Sequence, residues 1–372
     1  MYYYLAIVAF VSYFLYKCFI HPLYLSPLSK IPGPPVYNIL LGHLFSLLKD
    51  PSKALFHLSK QYGRIFRFHA LFNKPHVLIS DPQLIKTIFI SRVYDFPRYD
   101  IINPTYEDLI GDGIILADGD SHKRQRKVIS LIFSFVHIKE MTPTFIQAGH
   151  NLKAIWMKEI GNKREERITI SDTIADITLD VIGLVGKKLP TDDNNKFYDA
   201  VNTINNVSEK LLADQKNSPV QGTDLLSLLV KANYQLPVNE QLTHREIVSS
   251  VMTFLMAGHD TSTVVLAWAL YFLAKHPDFQ DRLRKELLDI FPDRDYHPTF
   301  DQIEQLKFLD CTVKEVLRFF PPVPILARVN KKDEMFNGYF IPKNSPLIIS
   351  VYAVHHDPSI WGDDVEYFNP SR

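Results

Sequence analysis

The first twenty positions stand apart from the rest: Tyr2 to Ile20 is apolar or aromatic except at Ser12 and Lys17. A run of that length is just enough to cross the hydrocarbon core of a bilayer. It has neither positive charge before the apolar stretch nor the small residues of a cleavage site, so it reads as an uncleaved anchor over residues 1–21. Lys17, His21 and Lys30 follow the apolar centre, which by the positive-inside tendency puts the remaining chain on the cytosolic side. The Asn206-Val207-Ser208 sequon would then never meet the glycosylation machinery. Pro22, Pro27 and Ile31-Pro32-Gly33-Pro34-Pro35 come next, a stiff stretch expected to act as a hinge over residues 22–36 ahead of a body over 37–372.

Within the body the apolar spacing changes from one segment to the next. Pro51 to Tyr62 predicts a helix, and Arg64 to Phe68 with His76 to Ile79 predicts two short strands. Asp81-Pro82 has the form of a helix cap and first residue. The longest helix starts after Thr243, which forms a capping box with Glu246, and stays apolar to about Ala274 before His276-Pro277 stops it. That is roughly thirty residues, long for a globular helix. Another helix covers Phe308 to Phe320 and ends at Pro321-Pro322. In Met335 to Phe340 the central Asn337-Gly338 suits a type I′ hairpin turn. These elements predict a mainly α body with a small β-rich region, an α+β class, without internal repeats.

Composition narrows the options. With 372 residues, 46% of them hydrophobic and 12% aromatic, the chain can bury one large core or two modest ones, and disorder is not indicated. Forty-one basic residues balance forty-one acidic ones, leaving no overall field to draw nucleic acid. The two cysteines, Cys18 and Cys311, can form neither a disulfide framework nor a multi-thiolate cluster, which fits a reducing compartment.

Three constellations bear on chemistry. Ala257-Gly258-His259-Asp260-Thr261-Ser262 puts small and polar residues into an apolar helix, where Gly258 alone costs about 1 kcal/mol. Either a neighbouring element crowds Gly258, or the missing side chain admits something flat while Asp260 and Thr261 offer a carboxylate and a hydroxyl for proton delivery. Glu315 and Arg318 share one helix face. Their apolar flanks, Val316, Leu317, Phe319 and Phe320, point to burial and to a third charged partner, for which Arg372 is the candidate. His122-Lys123-Arg124-Gln125-Arg126-Lys127 is the local basic cluster. Helical spacing gives His122 and Arg126 one face, suited to an internal carboxylate or phosphate, and Lys123 and Lys127 another, suited to an acidic protein. Without interleaved aromatics the cluster does not read as a nucleic-acid site.

Taken in order along the chain, these motifs resemble the cytochrome P450 family of heme-thiolate monooxygenases. They are the prolines at Pro32 to Pro35, the run Ala257 to Ser262, E-x-x-R at Glu315 to Arg318 with Phe-Phe-Pro-Pro close behind, and F-x-P-x-R at Phe368 to Arg372. The resemblance implies a heme, iron protoporphyrin IX, with electrons from NADPH delivered by a reductase, and insertion of one atom of dioxygen into an apolar small molecule. It implies that Asp260 and Thr261 steer protons, that Gly258 lets the long helix pass close to heme, and that Arg126 and Arg328 hold the propionates. His122 stands where the family often has tryptophan. Glu315, Arg318 and Arg372 would form a buried charge triad, and Lys123 and Lys127 would meet the reductase. Phe254, Ala257, Ile325 and Leu326 are candidate pocket residues, suited to a lipid-like substrate arriving from the membrane. A single-pass protein of the endoplasmic reticulum with its body in the cytosol is expected.

Two departures accompany the resemblance. The family's iron ligand is a cysteine thiolate in a loop shortly after the position of Arg372, where this chain stops, so the expectation is a chain cut before that loop. Cys18 belongs to the anchor, and Cys311 lies one turn from Glu315. The stretch from Gly183 to Asp224 is also shorter than the family's usual two-helix lid over the substrate. The alternative reading is a catalytically inactive membrane-anchored fragment that at most binds apolar ligands.

Overall fold

The computed structural model describes residues 2–38, 40–99, 111–161, 167–186 and 225–372, with backbone only for 179–186 and 226. The Asn206 sequon and most of the Gly183 to Asp224 stretch lie outside the described residues. The principal helices are α1 (Tyr2–Leu15), α2 (Pro51–Tyr62), α3 (Gly119–Ile132), α4 (Phe135–Ile160), α5 (Ile170–Gly186), α6 (Leu225–Tyr234), α7 (His244–Lys275), α8 (Pro277–Ile290) and α9 (Lys307–Phe319). The strands are β1 (Ile65–His69), β2 (Pro75–Ile79), β3 (Ile325–Val329), β4 (Glu334–Phe336), β5 (Tyr339–Ile341) and β6 (Pro346–Ser350). The fold is thus predominantly helical with a small mixed β region. It divides into two compact units, Met1–Ile101 with Arg318–Phe368, and Ile102–Leu317 with Asn369–Arg372.

The first unit is built on a four-stranded sheet of order β1-β2-β6-β3, in which only β2 and β6 run parallel. Alternation along the strands makes two cores. Phe66, Leu78 and Ile348 pack with Leu55 on one face, while Ile65, Val77, Ile79, Leu347 and Ile349 pack with Phe96, Phe336 and Ile341 on the other. Asp50 caps α2 by accepting from the Lys53 amide, with Pro51 in the first helical position. The β4–β5 hairpin turns at Asn337 (φ 47°) and Gly338 (φ 86°), the paired positive φ of a type I′ turn.

In the same unit α1 has no buried residue and continues into a π-helical stretch, Tyr16–Leu25, that accommodates Pro22. Tyr2–Lys30 is long and apolar enough to cross a membrane, which supports a single-pass membrane protein. Part of the proline stretch, residues 31–33, packs against β1. Ile31 is buried, Arg67 donates from its backbone N–H to Pro32 O (2.8 Å) and from Nε to Ile31 O (3.0 Å), and a Cβ on Gly33 would fall 2.0 Å from Arg67 O.

The second unit is organised along α7, whose start is fixed by the Thr243–Glu246 capping box. Ile247, Val251 and Leu255 of α7 meet Val128, Ile129 and Ile132 of α3 and Leu228 and Leu229 of α6 in one apolar cluster. The middle of α7 lies along α5.

Candidate functional site

Around the Ala257 to Ser262 run, α7 divides its polar groups between two sides. His259 Nδ1 is hydrogen-bonded at 3.0 Å to Thr178 Oγ1 of α5, Thr178 lies 2.6 Å from Thr263 Oγ1, and Thr263 donates back to His259 O at 2.9 Å. Asp260 points outward, with its side chain 74% exposed. The Thr261 hydroxyl donates to Ala257 O at 2.6 Å, a back-bond to the preceding turn that satisfies it within the helix. Ala257 and Gly258 are half-buried beside them. Phe254, one turn earlier, packs edge-on against Phe133 with ring centroids 5.4 Å apart and adjoins the α3–α6–α7 core.

The basic cluster opens α3, and its members separate by face. Lys123 pairs with Asp120 and Lys127 with Glu240, both at the surface. Arg126 is exposed and has no ion-pair partner among the described residues, while His122 is half-buried. Arg124 and Gln125, which motif reading passed over, face inward to Glu246. Arg124 pairs with that carboxylate, Ser121 Oγ donates to it at 3.0 Å, and Gln125 Nε2 lies 3.4 Å from it. Burial pulls the Glu246 carboxyl upward, but hydrogen bonds from Thr243, Ser121 and Arg124 outweigh it and hold the group below the ordinary carboxylate range. Ahead of α3, Gly113 sits so close to α7 that a Cβ would fall 2.5 Å from Thr253 Oγ1 and 2.8 Å from Ser249 O.

In the first unit Arg328 on β3 stands opposite Arg98 in an isolated antiparallel bridge, and its guanidinium lies over the Phe89 ring at 4.6 Å. Arg98 was missed because nothing local in Phe96-Pro97-Arg98 marks it. Ile325 and Leu326 are neighbours on β3 and point to opposite sheet faces, Ile325 against the Leu55–Phe66 core and Leu326 against the Ile65–Val77 core.

Glu315 and Arg318 are both buried on α9, at 5% and 3% exposure. Glu315 Oε1 accepts from the Asn369 amide at 2.9 Å and lies 3.9 Å from Arg372 Nε. Arg318 donates to His355 O at 2.7 Å and to Tyr367 O at 3.4 Å. The buried charges are thus met by backbone groups of the C-terminal segment as well as by Arg372, as buried ions require.

The profile of the Cytochrome P450 family matches residues 32–215 and 184–372. The chain belongs to this family. Cytochrome P450 monooxygenase sphH of Aspergillus fumigatus is 28% identical across 97% of this chain and 77% of its own length. Cytochrome P450 3A5 of Homo sapiens is 29% identical across 92% of this chain and 76% of its own, and Cytochrome P450 734A1 of Arabidopsis thaliana is 27% identical across 92% and 75%.

The family's heme can be tested against this P450's residues. Within the first unit, Arg98 and Arg328 are cations of the kind that hold propionates. The thiolate does not fit. Cys18 lies in the anchor, its carbonyl accepting from Asn73 Nδ2 at 3.1 Å. Cys311 lies on α9, lining a cleft of about 460 Å³ with Arg282, Lys285 and Phe308. Among the described residues, no group of three or more His, Cys, Asp or Glu is placed to hold a metal ion.

Proposed function

We propose that these 372 residues form a membrane-anchored P450 body that takes up apolar small molecules and, with no thiolate placed to hold heme iron, does not itself run the family's oxygen chemistry. The position of the two cysteines carries this reading: one belongs to the anchor, and the other is built into the helix of Glu315. Phe254 and Ala257 are candidates to line the apolar site, being half-buried on α7.

A heme-dependent monooxygenase served by an NADPH-dependent reductase is the second reading, for a protein in which a thiolate comes from outside these residues. It is favoured by the retained α7 run with Gly258, Asp260 and Thr261 and by the buried Glu315 and Arg318. Lys123 and Lys127 remain candidates for the reductase contact, since each is exposed and its ion pair with Asp120 or Glu240 is a surface pair of little strength. The body would face the cytosol at the endoplasmic reticulum, because Lys17 and Lys30 follow the apolar run. Protease added outside sealed microsomes should then cut beyond Pro35, and protection of that region would reverse the orientation.

Turnover separates the two readings. With heme, the reductase, NADPH and a fluorescent fatty-acid probe, the 372-residue chain should bind the probe saturably and form no oxidised product. Oxidised probe would overturn the first reading, and the absence of saturable binding would remove its ligand-binding part.

A further inference from the structure

The second unit holds a cleft well away from the Ala257 to Ser262 run. It measures about 520 Å³ and lies between the last turns of α7, the helix α8 and the loop that follows α8. Leu270 and Leu273 of α7 and Leu283 and Leu287 of α8 form its apolar body, each pair spaced three or four apart and hence on one helix face. Phe291 and Tyr296, their rings stacked at 5.4 Å and 18°, add a flat wall. A cleft of this size, mostly apolar with a few polar groups, has the character of a small-molecule site. Leu270 lies thirteen residues beyond Ala257 on the same helix, about 20 Å along its axis, so the cleft is separate from the apolar site assigned to Phe254 and Ala257.

The loop is held from its far side, which fixes the side chains that line the cleft. Asp295 pairs with Lys153 of α4 at 2.6 Å, Lys153 also donates to Arg294 O at 3.4 Å, and His297 stacks on His150 of α4 with centroids 4.3 Å apart. His150 Nε2 is hydrogen-bonded to Tyr296 O at 3.3 Å. Residues 295 and 297 are thus engaged by α4 while Arg294, Tyr296 and Pro298 line the cleft. The charges there are unequally committed. Asp293 Oδ1 accepts from the Asp295 amide at 2.9 Å, and Arg284 pairs with Asp281 and donates to Gln280 Oε1 at 3.1 Å. Arg294 is exposed, and its guanidinium has no hydrogen-bond or ion-pair partner among the described residues.

We propose that this cleft binds a small amphipathic carboxylate, its flat apolar body between the leucines and the Phe291–Tyr296 wall and its anionic head on Arg294, with Arg284 as a second donor. The planar fork of a guanidinium matches a carboxylate, and burial of the apolar body against the leucines supplies the rest of the attraction. A neutral apolar molecule would leave Arg294 unused, and a small inorganic anion would cover none of the leucine surface. The lining therefore selects a ligand that carries both features.

The test titrates the full chain in phosphatidylcholine nanodiscs with 2-naphthoxyacetate and, separately, with its uncharged amide, following the heat of binding with empty nanodiscs as the blank. The acid should bind saturably. Arg294→Ala should weaken it about tenfold, as loss of a hydrogen bond to a charged group does, and the amide should bind the unaltered chain more weakly by a similar factor. Arg284→Ala should cost less, because that guanidinium is already shared with Asp281. Leu288→Trp, at the open rim where Leu288 is 36% exposed, should close the cleft and abolish binding without touching a charge. Hydrogen exchange with the acid present should slow in residues 283–298 and stay unchanged in 253–262. Absence of saturable binding, equal affinity for acid and amide, or unchanged affinity in Leu288→Trp would overturn the proposal. Protection confined to residues 253–262 would also overturn it, by placing the acid in the site of Phe254.

Discussion

Glu246 is buried in the first turn of α7 and serves several donors at once: the Thr243 backbone N–H and hydroxyl, the Ser121 hydroxyl and the Arg124 guanidinium. Removing it leaves Arg124 and the start of α7 without their acceptor. Loss of a cap alone costs about 1 kcal/mol, and breaking a buried charge pair costs about 3–5 kcal/mol. Arg124 is partly exposed, its side chain at 30%, so water attenuates the second contribution. Glu246→Ala should therefore destabilise the second unit by about 2–3 kcal/mol, and Glu246→Gln, which retains the box, by about half as much. Urea unfolding followed by far-ultraviolet circular dichroism measures both. A loss for Glu246→Ala no larger than that of a cap would show that the Arg124 contact contributes nothing. The capping box was legible because Thr243 and Glu246 are three positions apart. Arg124 was not, since its partner lies 122 positions away and no local period links them.

At the level of elements, the β1–β2 hairpin carries a pH response. His69 and His76 are both lowered to about 4: burial acts first on each, followed at His69 by the Arg67 charge and at His76, in the opposite direction, by the bond to Lys74 O. His356 is likewise lowered to about 4, chiefly by burial. Unfolded histidine titrates near 6.5, so between about pH 6.5 and 4 the unfolded chain binds protons that the folded first unit refuses. The stabilisation is complete above pH 6.5 and is lost as pH falls, at up to about 1.4 kcal/mol per pH unit for each group. Denaturation midpoints should drop between pH 7 and pH 5. His76→Phe, which can still stack on Phe68, should flatten that slope, and a midpoint independent of pH would contradict the assignment. Elements with local signals were readable from sequence: α2 runs Pro51–Tyr62, and Asn337-Gly338 turns the β4–β5 hairpin. The packing of residues 22–36 was not, because prolines announce stiffness while the partners that hold them, Arg67 and His43, come from later in the chain.

For the whole molecule, family membership was readable because its motifs keep their order from Pro32 to Arg372, and the family profile matches residues 32–215 and 184–372. Which face each candidate takes was not readable. Thr261 bonds within its own helix, Ile325 and Leu326 part to opposite sheet faces, and Arg98 joins Arg328 across a bridge that no motif announces. The central claim concerns the thiolate, and the carbon monoxide difference spectrum of the reduced, heme-supplemented 372-residue chain tests it most directly. The account predicts a Soret band without the red shift that thiolate ligation confers. A red-shifted band from this chain would contradict it, and its loss in Cys311→Ala would identify the sulfur responsible.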